Sequence, residues 1–166
     1  MNRLFSICEK IAHSQDIDLV VITGDMETFD TEEDMTGLAE ALSPLKEISQ
    51  KVVACLGNHD YEVYEKVKEA YRENNIRLLE DEEVIIPIAR WTQLRGKTSE
   101  VQVVGSLFSY DHNKAVRMTD NLFKNNPRIS SDTPRIFLIH NPSMISAAPL
   151  ADTCDIIFSG HLRKYF

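Results

Sequence analysis

Positive charge is in short supply. Against 26 Asp and Glu the chain has 18 Lys and Arg, a formal net charge of −8. A chain this acidic has no nucleic-acid-binding basic face. It does not exclude a phosphate substrate, because bound cations bring positive charge that composition does not count. Cysteine is scarce as well. Cys8, Cys55 and Cys154 are odd in number and lack metal-ligand spacing, and Cys55 sits inside an apolar run. Reduced, free thiols are therefore expected. Long apolar runs are missing, none approaching the ~20 residues that cross a bilayer. Before Glu9 and Lys10 stands only Leu4-Phe5-Ser6-Ile7-Cys8, too short for a signal-peptide core. A cytoplasmic location with no membrane span is the expectation. No internal repeat and no low-complexity segment interrupts the chain, and no pattern in it speaks to oligomeric state.

What is present suits one globular domain over residues 1–166, or a large part of one: 43% of residues are apolar and 27% charged, enough to form a core. Leu4, Ile7, Cys8, Ile11 and Ala12 recur at helical spacing, predicting an amphipathic helix over 3–15. Leu19-Val20-Val21-Ile22 reads as a buried parallel strand. A helix is predicted over 33–49, shortened or kinked by Pro44, then a strand at Val52–Leu56, a charged helix over 62–74 and a short strand at Ile76–Leu79. Residues 84–108 look antiparallel: strands at 84–86, 91–94 and 101–108, with Arg95-Gly96-Lys97-Thr98 as a hairpin turn. A helix over 112–125, breaking up from Asn121, a strand at Ile136–Ile139, a short helix near 143–149 and a strand at Ile156–Phe158 complete an α/β chain with a mixed sheet and one β-rich region.

The informative pattern lies at the carboxyl ends of the strands. Thr23-Gly24-Asp25 comes directly after the first, and Gly57-Asn58-His59-Asp60 after the second. His140-Asn141-Pro142 comes after Phe137-Leu138-Ile139, and Gly160-His161 after Ile157-Phe158-Ser159. Each strand delivers a candidate ligand to the edge where open α/β sheets bind ligands. Singly these signals are weak. Gly-Asp is common in loops, a histidine after an apolar strand is often a satisfied core residue, and His161 lies near the chain end. Jointly they form a carboxylate, amide and two-imidazole set, which suits a divalent transition ion such as Mn, Fe, Zn or Ni. The set is too rich in nitrogen for calcium.

In that order the motifs resemble those of the calcineurin-like metallophosphoesterase superfamily, over residues 17–161. The Val-Ile-Thr-Gly-Asp-Met and Asn-His-Asp-Tyr stretches are most similar to its small bacterial phosphodiesterase branch. The resemblance implies a four-layer α/β/β/α sandwich with two β-sheets. It implies hydrolysis of a phosphodiester or phosphomonoester by metal-bound hydroxide. Asp25 would bridge two metal ions, and Asn58, His140 and His161 would complete the second metal site. His59 would face the substrate phosphate and stabilise or protonate the leaving oxygen, with Asp60 orienting it. Two ions ~3.5–4 Å apart act as a clamp on the reacting phosphoryl group.

The chain also departs from the family pattern. Upstream of Asp25 the family has an Asp-x-His after its first strand. Here the candidates are Glu9, His13, Asp16 and Asp18, on the predicted helix or before the strand. Where Gly-His-x-His is expected, Gly160-His161 is succeeded by Leu162 and Arg163. Both departures fall on the first metal site, so one ion is expected where the intact family binds two. The start within the first helix and the end at Phe166 predict a truncated or frame-shifted form, its first strand and final strands missing. The alternative to an enzyme is a non-catalytic truncated relic that binds at most one metal ion or a partner. A nucleotide-binding doubly wound fold would need a Gly-rich loop after the first strand, which Thr23-Gly24-Asp25-Met26-Glu27 is not. Asp111 and His112 come after another strand, but the simpler reading there is a solvated loop entering a helix. The acidic residues in 27–34 read as a solvated loop and helix N-terminus.

Overall fold

The computed structural model of the chain describes residues 3–26, 37–88, 100–142 and 153–161. The first helix, α1, spans Arg3–Ala12 and buries Cys8, while Ile7 lies at the edge of the apolar stripe and is exposed. Strand β1 (Val20–Ile22) is next, then α2 (Gly37–Leu42). The α-helix predicted to reach residue 49 ends at Leu42 and gives way to 3-10 turns over Ser43–Lys51. Pro44 has no N–H to continue the α-helical ladder, and Ile48 leaves helical geometry altogether. Strand β2 (Val52–Ala54), a 3-10 turn (Asp60–Val63), α3 (Tyr64–Glu73) and β3 (Arg77–Leu78) come next. Then come β4 (Glu82–Pro87), β5 (Glu100–Gly105), α4 (His112–Asn125), β6 (Arg135–Leu138) and β7 (Ile156–Phe158). Helix α4 does not break up at Asn121. It runs on to Asn125 because Leu122 is buried and holds the last turn in the core. The strand predicted at 91–94, the turn at 95–98, the helix near 143–149, the acidic loop at 27–34, and Leu162 with Arg163 lie outside the described residues.

Two sheets form. Strands β1-β2-β3 are parallel throughout, with Val20 opposite Val52 and Ala54 opposite Leu78. Strands β4-β5-β6-β7 are mixed: β4 is antiparallel to β5, while β5, β6 and β7 are parallel. The antiparallel expectation for 84–108 thus holds for one pair, and β5 joins a parallel set.

Strand alternation builds three cores from these sheets, because successive side chains point to opposite faces. Val52, Ala54 and Leu56 pack on the helical layer with Cys8, Leu42, Val67 and Tyr71. Val53 and Cys55 point the other way and meet Ile86, Val103, Ile136 and Leu138 between the sheets. Phe137 and Ile139 then face α4, against Ala115 and Leu122. The layers are α/β/β/α, the four-layer sandwich that the resemblance implied. The three cysteines are buried and free, as expected. Burial pushes the Cys55 thiol up to about 12, with Asp60 adding to the effect, so it stays protonated and inert. Among the described residues no helix is long and apolar enough to cross a membrane.

A polar clasp holds β7 to β6. Arg128 donates to both oxygens of Asp155, at 2.9 and 3.3 Å, and the Arg135 amide donates to the same carboxylate at 2.6 Å. The Arg128 hydrogen bond, then the Arg135 amide, hold the Asp155 carboxyl below its usual range. A depressed folded-state pKa contributes stability that is present above the unfolded value and lost as pH falls through the folded one. Asp155→Asn is therefore expected to lower the urea midpoint most at pH 7. The difference from wild type should shrink once pH falls below the ordinary carboxylate value of about 4. An equal penalty at pH 7 and pH 3 would contradict this account.

Candidate metal centre

Four strand-end loops meet at one edge of the sandwich, and the backbone explains how closely. Gly24 has φ 82° and Asp25 φ 55°, two successive left-handed residues that turn the chain sharply after β1. A Cβ at Gly24 would collide with the backbone of Gly57, and one at Gly57 with Asp25 and with the His140 ring. Glycine is needed at both positions so that the β1 and β2 loops can touch. The left-handed Asp25 costs on the order of 1–3 kcal/mol, and Asp60 offsets it. The Asp60 side chain is fully buried. Its Oδ2 accepts the amides of Asp25 (2.9 Å) and Gly57 (2.8 Å), and its Oδ1 accepts that of Met26 (2.9 Å). Burial pushes its carboxyl up, against the pull of these three amides.

This changes the part expected of Asp60. Both of its oxygens are engaged with backbone, so what it holds directly is the β1 loop against the β2 loop. Its effect on His59 passes through the turn they share. The His59 amide is held from the other side, by Asp25 Oδ1 at 3.0 Å. The His59 side chain is 41% exposed and lies 3.7 Å from Glu62, whereas Asn58 and Asp60 beside it are buried. The loop therefore sends Asn58 inward and leaves His59 partly exposed.

His140 stands at the centre of the cluster and is 1% exposed. Its Nε2 lies 3.1 Å from Asn58 Oδ1, 3.1 Å from His161 Nδ1 and 3.1 Å from Asp25 Oδ2. Its Nδ1 donates to the Thr23 carbonyl at 2.7 Å. A carbonyl only accepts, so the neutral ring carries its proton on Nδ1 and aims a lone pair from Nε2. Two of the three atoms around that lone pair, the Asn58 and Asp25 oxygens, are themselves acceptors. One added proton would satisfy a single contact, whereas a divalent cation would satisfy all four atoms together. Ligands ~2.1 Å from a shared ion stand ~3.0–3.4 Å from one another, depending on geometry, and the 3.1 Å spacings match. The Thr23 carbonyl supplies the outer hydrogen bond that a ligating histidine normally makes. The donor set and its spacing fit a metal ion.

The last loop is tied in by backbone. The amides of Gly160 and His161 both donate to the His140 carbonyl, at 3.0 and 2.8 Å, and this brings the His161 ring to the cluster. Asp25, His140 and His161 form a group of potential metal ligands, and no second such group forms among the described residues. Glu9, His13, Asp16 and Asp18 do not join it. Asp111 caps α4 by accepting the Lys114 amide at 3.0 Å, and His112 is exposed, so the simpler reading of that pair holds.

The calcineurin-like phosphoesterase profile matches residues 1–165, nearly the full length. The chain belongs to the calcineurin-like phosphoesterase family. Among solved structures it is similar to the NAD nucleotidase (NadN) of Haemophilus influenzae, with a TM-score of 0.52 at 15% identity. The likeness covers 95% of this chain and 32% of that one, so this chain spans about a third of the nucleotidase's length. At that identity the likeness is one of fold. No curated protein matches the chain.

Two further residues border the candidate metal cluster, a placement that the sequence did not reveal. Phe108 sets its ring perpendicular to that of His140, with centroids 6.0 Å apart, and the Tyr61 hydroxyl accepts the Phe108 amide at 3.3 Å. Tyr61 lies in the short 3-10 turn and Phe108 in the loop after β5, where side-chain periodicity carries little information.

Proposed function

We propose that the chain, acting as one domain over residues 1–166, is a metal-dependent phosphoesterase that hydrolyses a phosphodiester or phosphomonoester. In this reading Asp25, Asn58, His140 and His161 hold a divalent ion, Mn, Fe, Zn or Ni, and His59 faces the phosphate. The observation that carries it is the convergence of three neighbours on the His140 lone pair. Membership of the calcineurin-like phosphoesterase family supports it.

The bound ion would supply Lewis acidity, polarising a phosphoryl oxygen and offsetting its negative charge. The chain's own residues do the remaining work. Thr23 fixes the His140 tautomer, so the nitrogen lone pair is presented without a competing proton. Asp25 serves twice: Oδ2 faces the ligand cluster while Oδ1 holds the His59 amide, which ties the position of His59 to that of the ion. His59, half-exposed beside the cluster, gives its proton to the departing ester oxygen. Asp60 keeps both loops in register beneath the site.

Turnover of a generic aryl phosphodiester with added Mn separates this reading from the non-catalytic relic. The enzyme predicts a rate above the metal blank, lowered about 10²- to 10⁴-fold by His59→Ala, the usual contribution of a general acid. The relic predicts no rate above the blank. A rate untouched by His59→Ala would remove His59 from the mechanism. Metal analysis of protein purified without chelator counts the ions. One per chain is expected, and two would refute the single-site reading.

A further inference from the structure

Beyond the ligand cluster, the edge carries an array of aromatic rings in contact with one another. Phe108 meets His140 on one side and Tyr110 on the other, the latter with centroids 4.6 Å apart and rings perpendicular at 89°. Tyr61 lies 6.3 Å from Phe108 and stacks on Tyr64 at 6.0 Å and 14°. Phe108 and Tyr110 thus form a right-angled corner, extended by Tyr61 and joined to the site through His140. Tyr110 is 79% exposed, the most exposed large apolar side chain among the described residues, and Tyr61 is 37% exposed. A single exposed ring means little. Several in contact, starting at a ligand histidine, make a continuous aromatic surface that is partly open to solvent.

The corner adjoins the ligand cluster through the contact of Phe108 with His140. His59, which on the proposed function protonates the leaving oxygen, is two residues from Tyr61 in the same turn. A leaving group that takes a proton from His59 has beside it the turn that carries Tyr61, and Tyr61 leads on to the rings of Phe108 and Tyr110. These rings carry no formal charge, and what the three of them share is a π surface. Planar π systems stack on such rings, flat or edge-on, with favourable energy beyond area burial.

We infer that Tyr61, Phe108 and Tyr110 form a leaving-group subsite that selects phosphate esters bearing a planar aromatic group, such as a nucleobase or a simple aryl ring. The inference rests on the phosphoesterase reading for the side on which the ester lies. Its test uses binding as well as turnover.

Tyr110 is the residue to change, because its exposure leaves the fold little to lose. Titration of the Mn-loaded chain with phenylphosphonate and with methylphosphonate, neither of which is hydrolysed, is expected to give about tenfold tighter binding of the phenyl compound, the size of one stacking contact. Tyr110→Ala should abolish that preference and Tyr110→Phe retain it, with methylphosphonate affinity the same in all three. A nucleoside 5′-phosphonate distinguishes the two sources: tighter binding than phenylphosphonate identifies a nucleobase, weaker binding a simple aryl group. Equal affinity for the phenyl and methyl compounds overturns the inference, as does a preference that survives Tyr110→Ala. If the preference appears but no ester is hydrolysed, the rings bind aromatic groups, but the catalytic reading falls and the leaving-group assignment falls with it. If esters are hydrolysed and Tyr110→Ala changes aryl and alkyl kcat/KM alike, the catalytic reading stands and the subsite falls.

Discussion

Asp60→Ala is expected to destabilise the protein by about 3–5 kcal/mol, more than any other single change near the site. Three backbone amides, those of Asp25, Met26 and Gly57, lose their acceptor together. Each buried donor left without a partner costs about 1–3 kcal/mol, less where water can enter. The left-handed turn at Asp25 also loses the contacts that offset its strain. For a chain of this size 1 kcal/mol moves the melting temperature by about 2–4 °C, so a fall of about 10 °C is expected by calorimetry. His59→Ala, at the neighbouring half-exposed position, should move it little. The contrast is the informative readout. If Asp60→Ala keeps the wild-type midpoint, Asp60 does not clasp the two loops, and a direct role in orienting His59 regains ground.

The second large effect is stabilisation by metal. A divalent ion that binds only the folded state, at 100 times its dissociation constant, adds about 2.7 kcal/mol. That corresponds to a rise of about 5–10 °C in melting temperature. Mn added to metal-free protein should produce this rise and chelator should reverse it. His140→Ala should abolish the rise, because Nε2 is the atom on which Asp25, Asn58 and His161 converge. His140 is itself buried, so the variant starts from a lower melting temperature. The metal-induced difference, and not the starting value, is therefore the measure. A full Mn-induced rise in His140→Ala would place the ion elsewhere.

Both effects depend on contacts between residues far apart in the chain, and this explains how much is legible without the structure. Leu19–Ile22, Val52–Leu56 and Ile136–Ile139 are readable as strands because continuous apolar runs bounded by Gly and polar residues have few other uses. Asp25, Asn58, His140 and His161 are readable as candidates because each comes just after such a run. The end of α2 at Leu42 is legible only in outline. Pro44 signals disruption, but whether the chain then kinks or tightens into 3-10 turns is decided by Leu45 reaching the core.

By itself the sequence determined the order of the described strands, the strand-end placement of four loops that carry candidate ligands and, through their motifs, the family. These are local properties, carried by periodicity and by short runs of neighbouring residues. Tertiary structure alone decided which loops touch and what each polar atom does there. Asp60 proved to clasp backbone, the Thr23 carbonyl proved to set the tautomer of a histidine 117 residues away, and Phe108 proved to pack on that same ring. A hydrogen bond or ring contact depends on distance and direction in space, and no spacing along the chain encodes either until the two sheets have packed face to face.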